Sequence, residues 1–153
     1  MADDYAIPNG IVWNAEATEM YHIDSPTRRI DAWDYDHHTG AINNRRPLYN
    51  VQQEGAFPDG MAMDVEGKIW LALWGGWAVI RLDPATGEEL DWLELPVSQV
   101  TACSFGGPAL DELYITSANK GLSEEELAKQ PHAGSLFKAK LSVAGTEFTK
   151  FAG

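Results

Sequence analysis

Residues 58–70 read PDGMAMDVEGKIW, in which a Pro-Asp-Gly sequence runs directly into alternating apolar residues. A similar stretch, PNGIVW, occupies residues 8–13, so that Asn9 and Asp59 are 50 positions apart. A second pair of related turns, DHHTG at 36–40 and DPATG at 83–87, is separated by 47 positions. Repeats of 40 to 50 residues with about four short strands each are typical of β-propeller blades.

The segments between these turns are short, rich in Ile and aromatic residues, and alternate in polarity, which predicts antiparallel strands. They fall into three units at about residues 8–52, 57–98 and 100–150. The sequence therefore predicts an all-β fold of three four-stranded propeller blades. A three-unit solenoid is the alternative, but no repeat has the leucine spacing of a solenoid.

One helix is predicted over residues 123–130. Ser123 is a suitable N-cap, Glu126 stands three positions later, and Pro131 marks the end. Propellers close with four to eight blades, so three blades form an open arc. We expect two apolar blade faces at its ends, to be covered by another chain or by the rest of a longer protein.

The composition excludes several classes of partner. The net charge is −12, and Lys and Arg are scattered, which argues against binding to nucleic acid. The longest uncharged run, residues 69–80, is too short to span a bilayer, so no membrane role is expected. Cys103 is the single cysteine, so no intrachain disulfide can form. Together with a start that does not look like a signal peptide, this favours a cytoplasmic protein.

The chain resembles the regucalcin, gluconolactonase and luciferin-regenerating enzyme family, and matches its C-terminal half. The matching residues occur in order along nearly the whole chain: Asn9-Gly10, YHIDS at 21–25, DYD at 34–36, Thr39-Gly40, NRR at 44–46, PDG at 58–60, DVEGKIW at 64–70, RLDPATG at 81–87, FGG at 105–107 and ELYITSA at 112–118. The resemblance implies half of a six-bladed propeller that carries a divalent metal in its central channel.

The resemblance also implies hydrolysis of sugar-type lactones. The family binds its metal through a Glu, an Asn and an Asp; Asn9 and Asp59 fall at the positions of the Asn and the Asp, and Asp59 is also the implied general base. The ligating Glu belongs to a blade that has no counterpart in this sequence.

The residues themselves fit such a site in kind. Asn and Asp supply hard oxygen ligands, which suit Ca²⁺ first, with Mg²⁺, Mn²⁺ or Zn²⁺ as alternatives. Two repeats that offer the same turn would converge on one point in the channel, although Asn-Gly and Asp-Gly are also common turn dipeptides. Thr101 and Ser104 open the third inner strand and are expected to line the channel, and Trp74, in a loop, is a candidate substrate contact.

These observations predict a metal-dependent lactone hydrolase in which the metal activates water and Asp59 is both ligand and base. A complementary N-terminal half, or a second copy in a homodimer, is expected to complete the ring. The alternative is a non-enzymatic, calcium-binding regulatory propeller half. An incomplete gene product without activity is the third possibility.

Overall fold

The computed structural model describes residues 4–147, and strands dominate this part of the chain. One short 3-10 turn, Ser25–Thr27, follows the second strand, and one α-helix, α1 (Glu124–Lys129), lies between the last two strands. The strands are β1 (Pro8–Trp13), β2 (Glu19–Asp24), β3 (Arg29–Asp36), β4 (Ala41–Asn50), β5 (Phe57–Met63), β6 (Ile69–Trp74), β7 (Ala78–Leu82), β8 (Glu89–Glu94), β9 (Val100–Gly106), β10 (Glu112–Ser117) and β11 (Leu136–Lys140).

The strands form three antiparallel sheets in which chain neighbours pair with one another. Blade 1 contains β1 to β4, blade 2 contains β5 to β8, and blade 3 contains β9, β10 and β11. The prediction of an all-β propeller with three blades is confirmed. Blade 3 has three strands among the described residues, and the predicted end of this unit at residue 150 lies outside them.

The innermost strands β1, β5 and β9 lie side by side, and two apolar clusters join the blades. One cluster lies between blades 1 and 2 and includes Ile23, Ile30 and Leu71. The other lies between blades 2 and 3 and includes Val79, Leu113 and Ile115. Blade 2 is buried on both faces, which explains why β6 is apolar almost throughout instead of alternating.

The repeated Asp-x-x-Thr-Gly turns adopt the same backbone conformation. In each turn the glycine N–H donates to the carbonyl oxygen of the aspartate at 2.7 Å, for Gly40 to Asp36 and for Gly87 to Asp83. Both glycines have a positive φ, 71° and 73°, which glycine adopts without a steric penalty. The repeat seen in the sequence is therefore a repeat of structure.

The predicted helix is present, with its capping box. The Ser123 hydroxyl accepts from the Glu126 N–H, and the Glu126 carboxylate accepts from the Ser123 N–H. No helix among residues 4–147 has the length and apolarity that a bilayer crossing requires.

The outer faces of blades 1 and 3 differ from the expectation of apolar surfaces. On blade 1, Asp31 is almost fully buried between the guanidinium groups of Arg29 and Arg45, both within 2.8 Å. On blade 3, Lys138 pairs with Glu112 at 3.2 Å. Alternation along a strand places these residues opposite the apolar side chains of the interblade clusters, so each outer face carries ion pairs, and on blade 3 the exposed Leu136 lies beside them.

Candidate functional site

Each innermost strand carries a β-bulge at the position that the sequence analysis singled out. Pairing passes from Pro8–Asp24 to Ile11–His22, so Asn9 and Gly10 together oppose one residue of β2. The same irregularity lies between Pro58–Leu73 and Met61–Leu71, around Asp59. In β9, Thr101 is the extra residue. The predicted turns are therefore bulges within strands, which re-aim a side chain without ending the ladder.

The glycines that follow Asn9 and Asp59 allow neighbouring inner strands to touch. A Cβ atom added to Gly10 would lie 2.7 Å from the Asp59 carbonyl oxygen, and one added to Gly60 would lie 2.6 Å from the Ala102 Cβ. Glycine is required here because the strands approach each other closely. Asn9, Asp59 and Thr101 consequently follow one another across β1, β5 and β9.

A hydrogen-bonded chain links the first two bulges. The Asn9 side-chain amide nitrogen donates to the Ser25 hydroxyl at 2.9 Å. The Ser25 hydroxyl in turn donates to the Pro58 carbonyl oxygen at 2.7 Å. Ser25 was not singled out by the sequence, because nothing in YHIDS shows that its hydroxyl lies against residue 58.

Asp59 is half-buried, and burial raises the pKa of its carboxyl from 3.8 to about 6. Desolvation is the only cause, since no donor or cation among residues 4–147 contacts the carboxylate. A half-buried carboxylate without a protein partner is suited to a ligand that brings positive charge or a proton.

The other candidate residues lie in two different places. Trp74 is the last residue of β6 rather than a loop residue, and it pairs with Phe57 at the end of blade 2 that carries Asp59. The Thr101 hydroxyl is engaged with the Thr116 hydroxyl at 2.7 Å. One end of the inner strands therefore carries Asn9, Asp59 and Thr101, and Trp74 of β6 lies at the same end.

Ser104 lies further along β9, in a cavity of about 850 Å³. Residues of this cavity include Ile11, Trp13, Met61 and Met63, but neither Asn9 nor Asp59. The structure thus separates Ser104 from the candidate metal ligands.

The donor set fits a hard divalent cation in kind but supplies only part of a coordination sphere. Asn9 and Asp59 offer an amide oxygen and a carboxylate, whereas Ca²⁺ takes six to eight oxygens. Among residues 4–147 no group of three or more His, Cys, Asp or Glu side chains could hold a metal. Further ligands would have to come from water, substrate or another polypeptide.

The blade topology and the aligned bulges define this chain as a three-bladed arc of a β-propeller. The chain belongs to the SMP-30/gluconolactonase/LRE-like family, whose model matches residues 1–119. A regucalcin from Xenopus laevis is 45% identical over 148 residues, which are 96% of this chain and 50% of that protein.

Solved structures agree with this assignment. A luciferin-regenerating enzyme superposes with a TM-score of 0.84 and 39% identity, over 93% of this chain and 48% of that one. The regucalcin of Agrobacterium tumefaciens, a calcium-binding protein, gives 0.87 and 30%, over 94% and 48%. A gluconolactonase from Xanthomonas campestris gives 0.63 and 26%, over 74% and 36%. The chain spans about half the length of the relatives it matches.

Proposed function

We propose that this chain is the metal-binding half of a hydrolase for small, sugar-type lactones. Its family supports the reaction class, because a gluconolactonase and a calcium-binding regucalcin are among the similar structures. The observation that carries the proposal is Asp59, a half-buried carboxylate with a pKa near 6 and no protein donor among the described residues. It lies in a bulge next to the equivalent bulge that presents Asn9.

In this proposal Asn9 and Asp59 hold one divalent cation, with Ca²⁺ as the first expectation and Zn²⁺, Mn²⁺ or Mg²⁺ as alternatives. A bound cation of this kind polarises a carbonyl oxygen and lowers the pKa of water. Thr101 and Trp74 lie at the same end of the inner strands and are assigned to the lactone site. Ser104, in the separate cavity, is a weaker candidate for contact with the same substrate.

Asp59 has a second, chemical role in the proposal. Water attacks the lactone carbonyl carbon, a new carbon–oxygen bond forms, and Asp59 takes the proton that water loses. The ring ester bond then breaks, and the proton passes from Asp59 to the leaving alkoxide, which completes the hydroxy acid. A carboxyl group with a pKa near 6 is largely ionised at neutral pH and can accept this proton.

The test is hydrolysis of gluconolactone, measured by titrating the acid that is released. It is run with each of the four cations and again after chelation. Asp59→Asn should abolish turnover, whereas Asp91→Asn, at an exposed position of β8, should leave it unchanged. Chelation should remove activity, and the correct cation should restore it. Turnover and cation binding retained together in Asp59→Asn would contradict the proposal.

Completion of the propeller is part of the same proposal, since the chain spans about half the length of its relatives. A complementary N-terminal half or a second copy would supply the further ligands. Light scattering distinguishes them, because a lone chain has a mass of 16.8 kDa and a homodimer has twice that mass. Where the solution contains only the lone chain, turnover should appear only after a complementary half is added.

A second candidate function is calcium binding without catalysis, in the cytoplasm. The incomplete donor set of Asn9 and Asp59 favours it, and a solved relative is itself a calcium-binding protein. Calorimetric titration with CaCl₂ that shows binding, together with no turnover of gluconolactone even in a completed ring, would support this function. If the chain showed neither binding nor turnover, it would be a propeller half without activity of its own.

A further inference from the structure

Ser25 lies at the junction of blades 1 and 2 and is held rigidly there. It is buried, with 8% of its surface exposed, and it opens the 3-10 turn that follows β2. Its N–H donates to the Ile7 carbonyl at 3.1 Å, and its own carbonyl accepts from the Arg28 N–H at 2.9 Å. The backbone that carries its hydroxyl is therefore held by hydrogen bonds on both sides.

The hydrogen-bond inventory of this hydroxyl decides the orientation of Asn9. A serine hydroxyl has one proton, and a carbonyl oxygen can only accept. The proton therefore points at the Pro58 oxygen, 2.7 Å away, and the Ser25 oxygen can only accept from Asn9. An amide oxygen of Asn9 facing Ser25 would place two acceptors 2.9 Å apart with no proton between them. The Asn9 nitrogen must therefore face Ser25. The hydrogen-bond network alone determines which end of the amide is the nitrogen and which is the oxygen.

We infer that Ser25 is a positioning residue that sets the Asn9 amide so that its oxygen, not its nitrogen, is free for a cation. The amide nitrogen carries two protons and cannot coordinate a metal, so a wrongly turned Asn9 would not be a ligand. The same hydroxyl donates to the Pro58 carbonyl oxygen and so holds the peptide bond between Pro58 and Asp59. One side chain, that of Ser25, therefore connects both candidate ligands. The cation part of this inference depends on the proposed function, whereas the hydrogen-bonded chain does not.

The next junction along the arc is built differently. Thr101, at the equivalent bulge of β9, bonds Thr116 within its own blade at 2.7 Å. The Ser25 hydroxyl thus links blades 1 and 2 at the junction that joins the two candidate ligands, Asn9 and Asp59. Hydrogen bonds that orient metal ligands typically change metal affinity by about 10–100-fold when they are removed.

The first experiment needs no metal. In the wild-type chain, solvent exchange of the Asn9 side-chain amide protons, measured by NMR, should be slower than that of the exposed Asn43. Ser25→Ala should make the Asn9 amide exchange as fast as that of Asn43. Thr27→Val is the matched control, because the Thr27 hydroxyl donates to the Asp24 carbonyl at 2.7 Å in the same turn without reaching Asn9. Equal exchange of Asn9 and Asn43 in the wild-type chain would overturn the inference without any variant.

The second experiment is a double-mutant cycle on Ca²⁺ affinity, measured by calorimetry in the chain as it stands. Ser25→Ala should weaken binding at least about tenfold, and Thr27→Val should not. In an Asn9→Ala background, Ser25→Ala should weaken binding much less, because the part of its role that passes through Asn9 is already lost and only the bond to the Pro58 carbonyl remains. An equal loss in both backgrounds would show that Ser25 does not act through Asn9 and would overturn the inference.

The two experiments separate this inference from the proposed function. Protected Asn9 amide protons in a chain that binds no Ca²⁺, alone or in a completed ring, would contradict the proposed function and leave the orientation of Asn9 established. Ca²⁺ binding that depends on Asp59 but not on Ser25 would support the proposed function and overturn the inference about Ser25.

Discussion

Two aspartates stand five positions apart along β5 and the turn that follows it, and their surroundings are opposite. Asp64 is 1% exposed, and its carboxylate accepts from the Trp70 indole N–H at 3.0 Å, from the Arg81 guanidinium at 2.8 Å and from two backbone N–H groups of its own turn. Asp59 is half-buried and has no donor among the described residues.

The contrast shows how a buried carboxylate can be tolerated in two ways. Charge removed from water must be paired, or the group resists ionisation and its pKa rises. Asp64 is paired, and it ties β6 and β7 to the turn after β5. Asp59 is not paired among the described residues, and burial raises its pKa. We interpret Asp64 as structural and Asp59 as open to a ligand.

Breaking the paired aspartate should have the largest effect on stability. Asp64→Asn leaves the Arg81 guanidinium, which is 17% exposed, without its buried partner and with the exposed Glu66 carboxylate at 2.7 Å. Loss of one member of a buried ion pair costs about 3–5 kcal/mol. The free energy of unfolding from urea titration should fall by this amount, and Asp91→Asn should leave it unchanged. A stable Asp64→Asn variant would remove the distinction between the two aspartates.

Asp59→Asn should act on binding instead of folding. The substitution removes one negative ligand and should weaken Ca²⁺ affinity on the order of 100-fold. Because it also removes a poorly solvated charge, the free energy of unfolding at pH 7 should stay equal or rise. Calorimetry and urea titration on the same sample measure both quantities. A large loss of stability with unchanged affinity would mean that Asp59 is a structural residue like Asp64.

Gly60→Ala tests the packing that places Asp59. The new methyl group would lie 2.6 Å from the Ala102 Cβ and 3.0 Å from the Thr101 carbonyl oxygen. Overpacking of this kind costs about 1–3 kcal/mol, and Ca²⁺ affinity should fall with it as the bulge shifts.

Gly67→Ala is the control for that substitution. Gly67 has a positive φ of 72° with open space around it, so alanine there should cost about 1 kcal/mol and leave affinity unchanged. If Gly60→Ala changed neither stability nor affinity, the close approach of β5 and β9 would not matter for the site.

The pH dependence sharpens the comparison further. Burial raises the pKa of Asp59 from 3.8 to about 6, so the folded chain holds this proton more tightly than the unfolded chain. The stability that this tighter proton binding contributes to the folded chain is complete below pH 3.8 and is lost as the pH rises through 6. Without metal, the wild-type chain should lose stability relative to Asp59→Asn over this range. Ca²⁺ affinity should fall about tenfold per pH unit below 6, because the carboxylate must ionise to bind.

Much of the fold could be predicted from the sequence, because strand alternation and turn chemistry are local. The short segments between the repeated turns, for which the sequence predicts strands, do form strands, among them β2, β7 and β10. The capping box of the helix was likewise read from residues three positions apart. The positions of Asn9 and Asp59 came from the repeat and the resemblance, but their roles as ligands remain predictions.

The environment of those residues could not be predicted in the same way. Ser25 meets the Pro58 carbonyl across 33 positions of sequence, and no local pattern marks that contact. The ion pairs on the outer faces of blades 1 and 3 join different strands, as in Arg45–Asp31, whose members are 14 positions apart. Ser104 and Thr101 looked equivalent in the sequence, yet β9 places them in different surroundings.

By itself, the sequence determined the blade repeat, the strand order and the residue types available for a metal site, since these depend on side-chain periodicity and turn preferences within a few residues. Only the tertiary structure decided that the repeated Pro-x-Gly segments are bulges pressed against one another, and that Asp64 is paired while Asp59 is not. Hydrogen bonding and desolvation are set by neighbours in space, and in this arc those neighbours come from other strands and other blades.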